Sequence, residues 1–291
     1  MLPVAIKTPY QAGKNSKVAS FFIRLTWLYL ALMLVQFTTS PALAQRRPAG
    51  KPQTQSSGPR PYPEFRSRFG VSRWLSDQMP LKVFVSRGLS LDSIMDPQLG
   101  APVANVDNLA AWPNLVAQIV ENPQQWNSLG VAEGYVDGHY QAALEGVSAW
   151  KAFEPEGFLS YQITDDPQEA DIYVFFTKQF VNKLGMALFA NDIRGYTSKT
   201  NFPYKAILAG GQAAFKPVVI VLRTTEARGA SMPLGKMKAA ATHEFGHALG
   251  IEGHSTNAAD LMSVYYGRGV ISPNDAATLR YLYRLQPDLI P

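Results

Sequence analysis

One stretch, residues 237–249, constrains the fold of this chain more than any other. It is rich in alanine and contains no helix breaker except Gly246, so it is predicted to form an α-helix. His243 and His247 are four positions apart, and side chains at that spacing lie on one face of a helix, about 5–6 Å from each other. The fold must therefore bring two imidazole rings side by side, with Glu244 next to them.

Strand patterns precede this helix and indicate a mixed fold. Residues 81–85 and 158–164 alternate between apolar and polar side chains, as strands with one buried face do. Residues 170–176 are apolar enough for a strand covered on both faces, and residues 218–223 form a further strand. We expect an α+β domain, with α/β as the alternative class.

Two helical patterns and one loop-rich stretch complete this outline. Apolar residues recur at helical intervals across residues 135–153, which predicts one long amphipathic helix. A second helix is expected within residues 102–121. Residues 182–217 contain paired glycines and a proline, so we expect turns there and one wall of a cleft.

Residues 1–44 have the three parts of an export signal. A basic region with four Lys/Arg residues precedes the apolar run 25–35, and Ala42-Leu43-Ala44 follows. We expect cleavage after Ala44 and a mature protein outside the cytoplasm, secreted or periplasmic. The alternative is an uncleaved membrane anchor, since residues 21–37 reach the lower length limit for spanning a bilayer.

Residues 45–73 are predicted to form a basic, proline-rich linker, with the folded domain spanning residues 74–291. The positive charge lies ahead of that domain: residues 1–73 contain 11 Lys/Arg and one acidic residue, whereas residues 74–291 contain 16 and 21. A domain with net negative charge is not attracted to phosphate backbones, so we expect no nucleic-acid partner. A membrane partner is expected only if the N-terminal segment is retained.

The histidine pair is predicted to bind zinc. Cysteine is absent, so any metal site must use imidazole and carboxylate groups. His243 and His247 are spaced to bind a single Zn²⁺ at roughly 2.0–2.1 Å from each nitrogen. Glu244 is poorly placed as a ligand but well placed to take a proton from a zinc-activated water attacking a peptide carbonyl. We therefore expect hydrolysis of peptide bonds with Glu244 as general base.

A catalytic zinc needs a third protein ligand, and two candidates follow the helix. Gly250 permits the left-handed backbone that ends a helix and turns the chain back toward the metal. His254 is the remaining histidine nearby, and we predict that it is the third ligand. Glu252 is the competing candidate, since a carboxylate is also a zinc donor.

The pattern around this helix resembles the metzincin clan of zinc endopeptidases, and its matrixin branch in particular, the family of the matrix metalloproteinases. The likeness rests on the order His-Glu-x-x-His-x-x-Gly and a third histidine: His243, Glu244, His247, Gly250 and His254. Downstream, residues 260–266 look like the matrixin Met-turn, in which Met262 lies beneath the zinc as an apolar floor. Residues 271–283 look like the C-terminal helix of that family, and Ser272 and Asp275 can cap it.

This resemblance covers roughly residues 80–291. It implies a twisted mixed β-sheet with long helices above the active-site helix, the Met-turn and C-terminal helix below, and protein or peptide substrates lying extended between them. The family usually has two residues between the glycine and the third histidine, whereas residues 251–253 make three here, and we expect Gly253 to absorb the extra one as a bulge. A catalytically silent zinc module that binds peptides is the alternative function.

Three further features of the sequence each have a simpler interpretation. Tyr266 is predicted to line a substrate pocket, although aromatic residues after a turn are more often part of a core. A group of acidic residues is a candidate Ca²⁺ site, with a solvated acidic turn as the alternative. Its members are Asp165, Asp166, Glu169 and Asp171. His139 lies in the predicted helix 135–153 and is expected to be a packing or surface residue without a functional role.

Overall fold

The structure is a computed structural model that describes residues 58–95, 102, 104–188, 193–210 and 216–291. The predicted export signal and most of the predicted linker lie outside the described residues. Within the part of the chain that is described, no helix is long and apolar enough to cross a membrane.

The described residues form seven strands and six α-helices. In chain order the strands are β1 (Leu81–Val85), β2 (Tyr161–Ile163), β3 (Ile172–Thr177), β4 (Gly195–Ser198), β5 (Phe202–Pro203), β6 (Val218–Arg223) and β7 (Leu289–Ile290). The helices are α1 (Trp112–Glu121), α2 (Pro123–Asn127), α3 (Asp137–Ser148), α4 (Tyr204–Leu208), α5 (Leu234–Ala248) and α6 (Pro273–Arg284). Longer 3₁₀ segments precede α1 and follow α3, at Val106–Ala111 and Ala149–Glu156.

Five strands form a mostly parallel sheet in the order β2-β1-β3-β6-β4. The first four are parallel to their neighbours, whereas β4 runs antiparallel to β6. Strands β5 and β7 form a separate antiparallel pair. The predicted α+β class is confirmed at this level, and β4 occupies one edge of the main sheet.

Strands β3 and β6 are buried along their whole length, which confirms the prediction of a strand covered on both faces for β3. Ile172, Val174 and Phe176 on β3 face the core that α3 and α5 complete. Tyr173 and Phe175 point the opposite way, into the core beneath α1. Helices therefore cover both faces of the sheet, and the sheet supports α5 from below.

Two predicted elements differ from the structure. The helix expected over residues 135–153 ends at Ser148 and continues as a 3₁₀ segment to Glu156. The stretch 182–217, expected to consist of turns, also contains β4, β5 and α4. Strand β4 escaped prediction because it is only four residues long and its polar and small residues give no strand pattern.

Residues 58–73, here called the N-terminal strap, are packed onto the domain instead of forming a linker. Phe65 is 2% exposed and belongs to the same apolar core as α3 and α5, together with Tyr62 and Val71. At the end of the strap, the indole Nε1–H of Trp74 donates to the carbonyl oxygen of Ala248, 2.8 Å away. The packed domain therefore begins before Trp74, because a few apolar residues anchor an otherwise polar segment.

Candidate metal centre

Helix α5 places the first two histidines and the glutamate on its buried side. His243 is 1% exposed and Glu244 is 3% exposed. The Nε2 atoms of His243 and His247 are 3.1 Å apart, so both rings point to the same place. The predicted one-face arrangement of this pair is confirmed.

The chain then reverses and brings His254 to the same point. Gly250 has a φ of +114°, a backbone conformation that favours glycine, and the carbonyl of Ser72 in the N-terminal strap occupies the space that a Cβ would need. The Nε2 atom of His254 lies 3.3 Å from that of His247. Ligand atoms of all three histidines lie within 4.8 Å of one another.

The three-residue connection between Gly250 and His254 packs against the N-terminal strap. The backbone N–H of Glu252 donates to the carbonyl oxygen of Phe65 at 2.8 Å. A Cβ on Gly253 would collide with the carbonyl oxygen of Glu64. Gly253 has no positive φ, so the predicted need for a special backbone angle is wrong. The residue must be small because the backbone of Glu64 lies so close to it.

Hydrogen bonds fix which nitrogen of each helical histidine can bind a metal. Nδ1 of His243 lies 2.8 Å from the carbonyl oxygen of Leu261, and Nδ1 of His247 lies 2.6 Å from that of Ile251. Because a carbonyl oxygen can only accept, both Nδ1 atoms carry the proton. Both Nε2 atoms therefore present lone pairs, which is the arrangement of a metal-binding imidazole oriented by a second hydrogen bond.

The two separations measured from Nε2 of His247 suit a tetrahedral zinc ion. Zinc–nitrogen distances of 2.0–2.1 Å with tetrahedral angles place ligand nitrogens about 3.3–3.4 Å apart. The observed Nε2 separations of 3.1 Å and 3.3 Å are close to this value. The three imidazoles could therefore hold a metal ion that prefers nitrogen ligands.

Burial keeps these histidines neutral. Desolvation lowers the pKa of His243 to about 4 and lowers the pKa of His247 well below its ordinary value. Partial burial also lowers the pKa of His254. Neutral imidazole is the metal-binding form, so protons compete weakly for these nitrogens near neutral pH.

Glu244 is buried beside the histidines without joining their cluster. Desolvation raises the pKa of its carboxyl group to about 8. The hydroxyl of Thr197, on strand β4, lies 2.8 Å from Glu244 Oε2. The structure thus provides a carboxyl group with increased proton affinity, held by a hydrogen bond next to the three histidines.

Glu252, the competing ligand candidate, is engaged in another interaction. Its Oε1 atom forms an ion pair with Nζ of Lys199 at 3.0 Å, and both side chains are largely buried. The same Nζ donates to the carbonyl oxygen of His247 at 2.9 Å. The structure therefore places His254, and not Glu252, in the cluster, while Glu252 ties the connection to the segment after β4.

Met262 lies beneath helix α5, fully buried. Its sulfur packs closely against Gly246, where no larger residue would fit. The carboxylate of Asp275 accepts the backbone N–H groups of Leu261 at 2.9 Å and Met262 at 3.2 Å. Asp275 also forms the predicted capping box of α6 with Ser272, so the turn that contains Met262 is anchored to the C-terminal helix.

A cleft of about 590 Å³ runs past the three histidines, with β4 along one side. Tyr266 lines it, as predicted, and its ring centroid lies 4.4 Å from that of His243. The Tyr266 hydroxyl accepts the backbone N–H of Arg194 at 3.2 Å, which holds the ring against the start of β4. Sequence reasoning missed Thr197 and Lys199 as cleft residues, since no motif marks them.

Three of the four acidic residues considered as a calcium site contact other groups of the protein. Asp171 accepts the backbone N–H of Lys82 at 2.7 Å, and Glu169 pairs with the Lys82 ammonium at 3.3 Å. Asp166 caps a short 3₁₀ turn by accepting the N–H of Gln168. Across the described residues, the only group of three or more potential ligands that the fold assembles is the histidine cluster. The calcium interpretation therefore gains no support.

No protein-family model and no curated protein matches this chain. The histidine cluster and the residues around it are therefore the features of this chain that bear on its activity.

Proposed function

We propose that this chain is a zinc-dependent endopeptidase of the matrixin-like metzincin type, which hydrolyses peptide bonds of protein substrates. One observation carries the proposal: three imidazole nitrogens converge beside a buried carboxyl group at the side of an open cleft. Because residues 1–44 have the pattern of an export signal, we propose that the enzyme acts outside the cytoplasm.

His243, His247 and His254 would hold the metal through Nε2. A bound Zn²⁺ would lower the pKa of a coordinated water and polarise the carbonyl of the scissile bond. Leu261 and Ile251 orient the two helical imidazoles through their carbonyl oxygens. These second contacts keep the Nε2 lone pairs directed at one point.

Glu244 would act as the general base. Burial raises the pKa of this carboxyl group, whereas the positive charge of a bound metal would favour the ionised form that accepts a proton from the attacking water. The same carboxyl group can then give that proton to the leaving amine nitrogen. The carboxyl group thus begins and ends the reaction in the same ionisation state.

Strand β4 favours an extended peptide as the substrate. It pairs with β6 on one side, and within the described residues no strand pairs with its other side. A peptide chain can add to such an edge through main-chain hydrogen bonds. This edge borders the cleft, so a peptide bound there would run past the three histidines.

The first test is cleavage of an unstructured protein such as casein by the purified chain supplied with zinc. We expect cleavage that stops when zinc is chelated and returns when zinc is restored. Glu244→Gln is expected to lower kcat by about 10²–10⁴-fold while leaving the zinc content unchanged, because it removes only the proton acceptor. Cleavage fragments are followed by mass spectrometry.

A matched control separates catalysis from folding. His139→Gln changes a buried histidine that is not part of the cluster, and this variant should cleave casein normally in zinc buffer. If the zinc-loaded wild type binds peptides without cutting them, the chain is a silent peptide-binding module and the proposed activity is wrong. If Glu244→Gln cleaves as fast as the wild type, the role of Glu244 is wrong.

A further inference from the structure

Glu244 lies on helix α5, and its carboxyl group points toward strand β4, which contacts it through Thr197. The Oγ1 atom of Thr197 lies 2.8 Å from Oε2 of Glu244 and 2.9 Å from its backbone carbonyl oxygen. Both acceptors belong to the same residue, and because the hydroxyl carries one proton, it donates to one of them at a time or shares that proton between the two. Such a pair of contacts restricts rotation of the carboxyl group.

Gly195, two residues earlier on the same strand, shapes the other side of this carboxyl group. Alternate residues of a strand point to the same face, so the Gly195 and Thr197 positions both face α5. A Cβ on Gly195 would lie 2.5 Å from Cγ and 2.9 Å from Oε1 of Glu244, and the glutamate would have to move. The glycine therefore leaves room for Oε1 while the threonine binds Oε2.

The rest of β4 is anchored to the opposite face, which keeps this contact in place. The ring of Tyr196 packs edge-on against Phe180 with centroids 4.8 Å apart. The hydroxyl of Ser198 donates to the carbonyl oxygen of Leu109 at 2.6 Å. These contacts fix the rotation of the strand about its own axis, so Thr197 must face Glu244.

We propose that Thr197 is a positioning residue that orients the Glu244 carboxyl group for proton transfer. The missing side chain of Gly195 leaves the space that this carboxyl group occupies. This inference rests on the proposed endopeptidase function. It also links binding to catalysis, because the strand whose edge would pair with a peptide is the strand that orients the base.

Two substitutions separate the hydroxyl from the shape of the side chain. Thr197→Val keeps the β-branched shape and removes the hydroxyl, whereas Thr197→Ser keeps the hydroxyl and removes a methyl group. We expect Thr197→Val to lower kcat on casein-derived peptides by roughly 10- to 100-fold, the usual cost of losing an outer contact, with KM and zinc content unchanged. Thr197→Ser should retain most of the wild-type kcat. Equal losses in both variants, or none in Thr197→Val, would overturn the proposal.

A double-mutant cycle tests whether Thr197 acts through Glu244. In a Glu244→Gln background the residual kcat should not fall further when Thr197→Val is added, because the base is already lost. If Thr197→Val lowers kcat by the same factor in both backgrounds, it acts by another route and the proposal is wrong.

A structural measurement keeps the inference distinct from the proposed function. If the zinc-loaded wild type cleaves nothing, the endopeptidase proposal fails on its own. Crystal structures of the zinc-loaded wild type and of Thr197→Val then report the Glu244 carboxyl group directly. We expect it to be ordered against β4 in the wild type and displaced or spread over several positions in the variant. The same ordered position in both would overturn the positioning role.

Discussion

Histidines lie in two different hydrogen-bonding environments in this protein. One is the site of His139 on helix α3, and the other is the histidine cluster at the end of α5. His139 is fully buried. Its Nδ1 accepts the backbone N–H of Val136 at 3.3 Å, and its Nε2 lies 2.9 Å from the carbonyl oxygen of Met232. Since a carbonyl can only accept, Nε2 carries the proton, and both ring nitrogens have partners of the right kind.

In each helical histidine of the cluster, only one ring nitrogen has a complementary hydrogen-bond partner. Nδ1 of His243 and of His247 donates to a backbone carbonyl, which leaves two Nε2 lone pairs facing each other across 3.1 Å. Facing lone pairs repel unless a cation or a proton lies between them, and burial disfavours the proton. Counting donors and acceptors therefore distinguishes a structural histidine from a metal-binding one, although burial alone does not.

The largest expected difference between the histidine cluster and His139 is the effect of their substitution on zinc affinity. His243→Ala and His247→Ala should each weaken zinc binding by more than about 100-fold, which exceeds the usual cost of losing an outer contact. His139→Gln should bind zinc as the wild type does. The measurement is a zinc titration against a chelating indicator. Wild-type affinity in His243→Ala, or a comparable loss in His139→Gln, would break the distinction.

Zinc is also expected to stabilise the folded chain. Free zinc at 100 times its dissociation constant should add about 2.7 kcal/mol, because the site does not exist in the unfolded chain. For a domain of this size the melting temperature should rise by about 5–10 °C. Thermal unfolding with and without zinc measures the shift. The same shift in His243→Ala would show that zinc binds elsewhere.

His139 should affect stability and leave zinc binding intact. His139→Ala leaves the Val136 N–H and the Met232 carbonyl without their partners, at a cost of about 1–3 kcal/mol. Urea unfolding measures this loss, and the zinc-induced rise in melting temperature should persist in the variant. No change in unfolding midpoint would mean that His139 is not the structural residue described here.

The smallest expected effect on zinc affinity is that of substituting Glu252. Because its carboxylate pairs with Lys199 and lies outside the cluster, Glu252→Gln should weaken zinc binding only about 10-fold, through looser placement of the connection to His254. His254→Ala should weaken it more. Zinc titration of both variants decides the order, and a greater loss in Glu252→Gln would make Glu252 the ligand.

Much of the frame around the cluster follows from local sequence patterns. The apolar run of β3 predicts a strand covered on both faces, and residues 218–223 predict β6 as a further strand. The alanine-rich run of α5 predicts the helix that pairs His243 with His247. Ser272 and Asp275 predict the start of α6, because a capping box depends on residues only three apart. Interactions between residues close in sequence determine these elements, so the sequence around each element is sufficient to predict it.

The parts that could not be predicted depend on contacts between distant segments. Strand β4 is short, and its register against β6 is a property of the whole sheet. The N-terminal strap has a linker-like composition, yet it supports the connection that contains Glu252 and Gly253. The pairing of Lys199 with Glu252 joins residues more than fifty positions apart, and no local pattern in the sequence indicates it.

The central claim, that three histidines hold one catalytic zinc, is tested most directly by a crystal structure of the zinc-loaded protein with anomalous scattering measured at the zinc edge. The account predicts a single strong peak about 2.0–2.1 Å from Nε2 of His243, His247 and His254, with the carboxylate of Glu252 on Lys199. A peak elsewhere, or one that has Glu252 in place of His254, would contradict it.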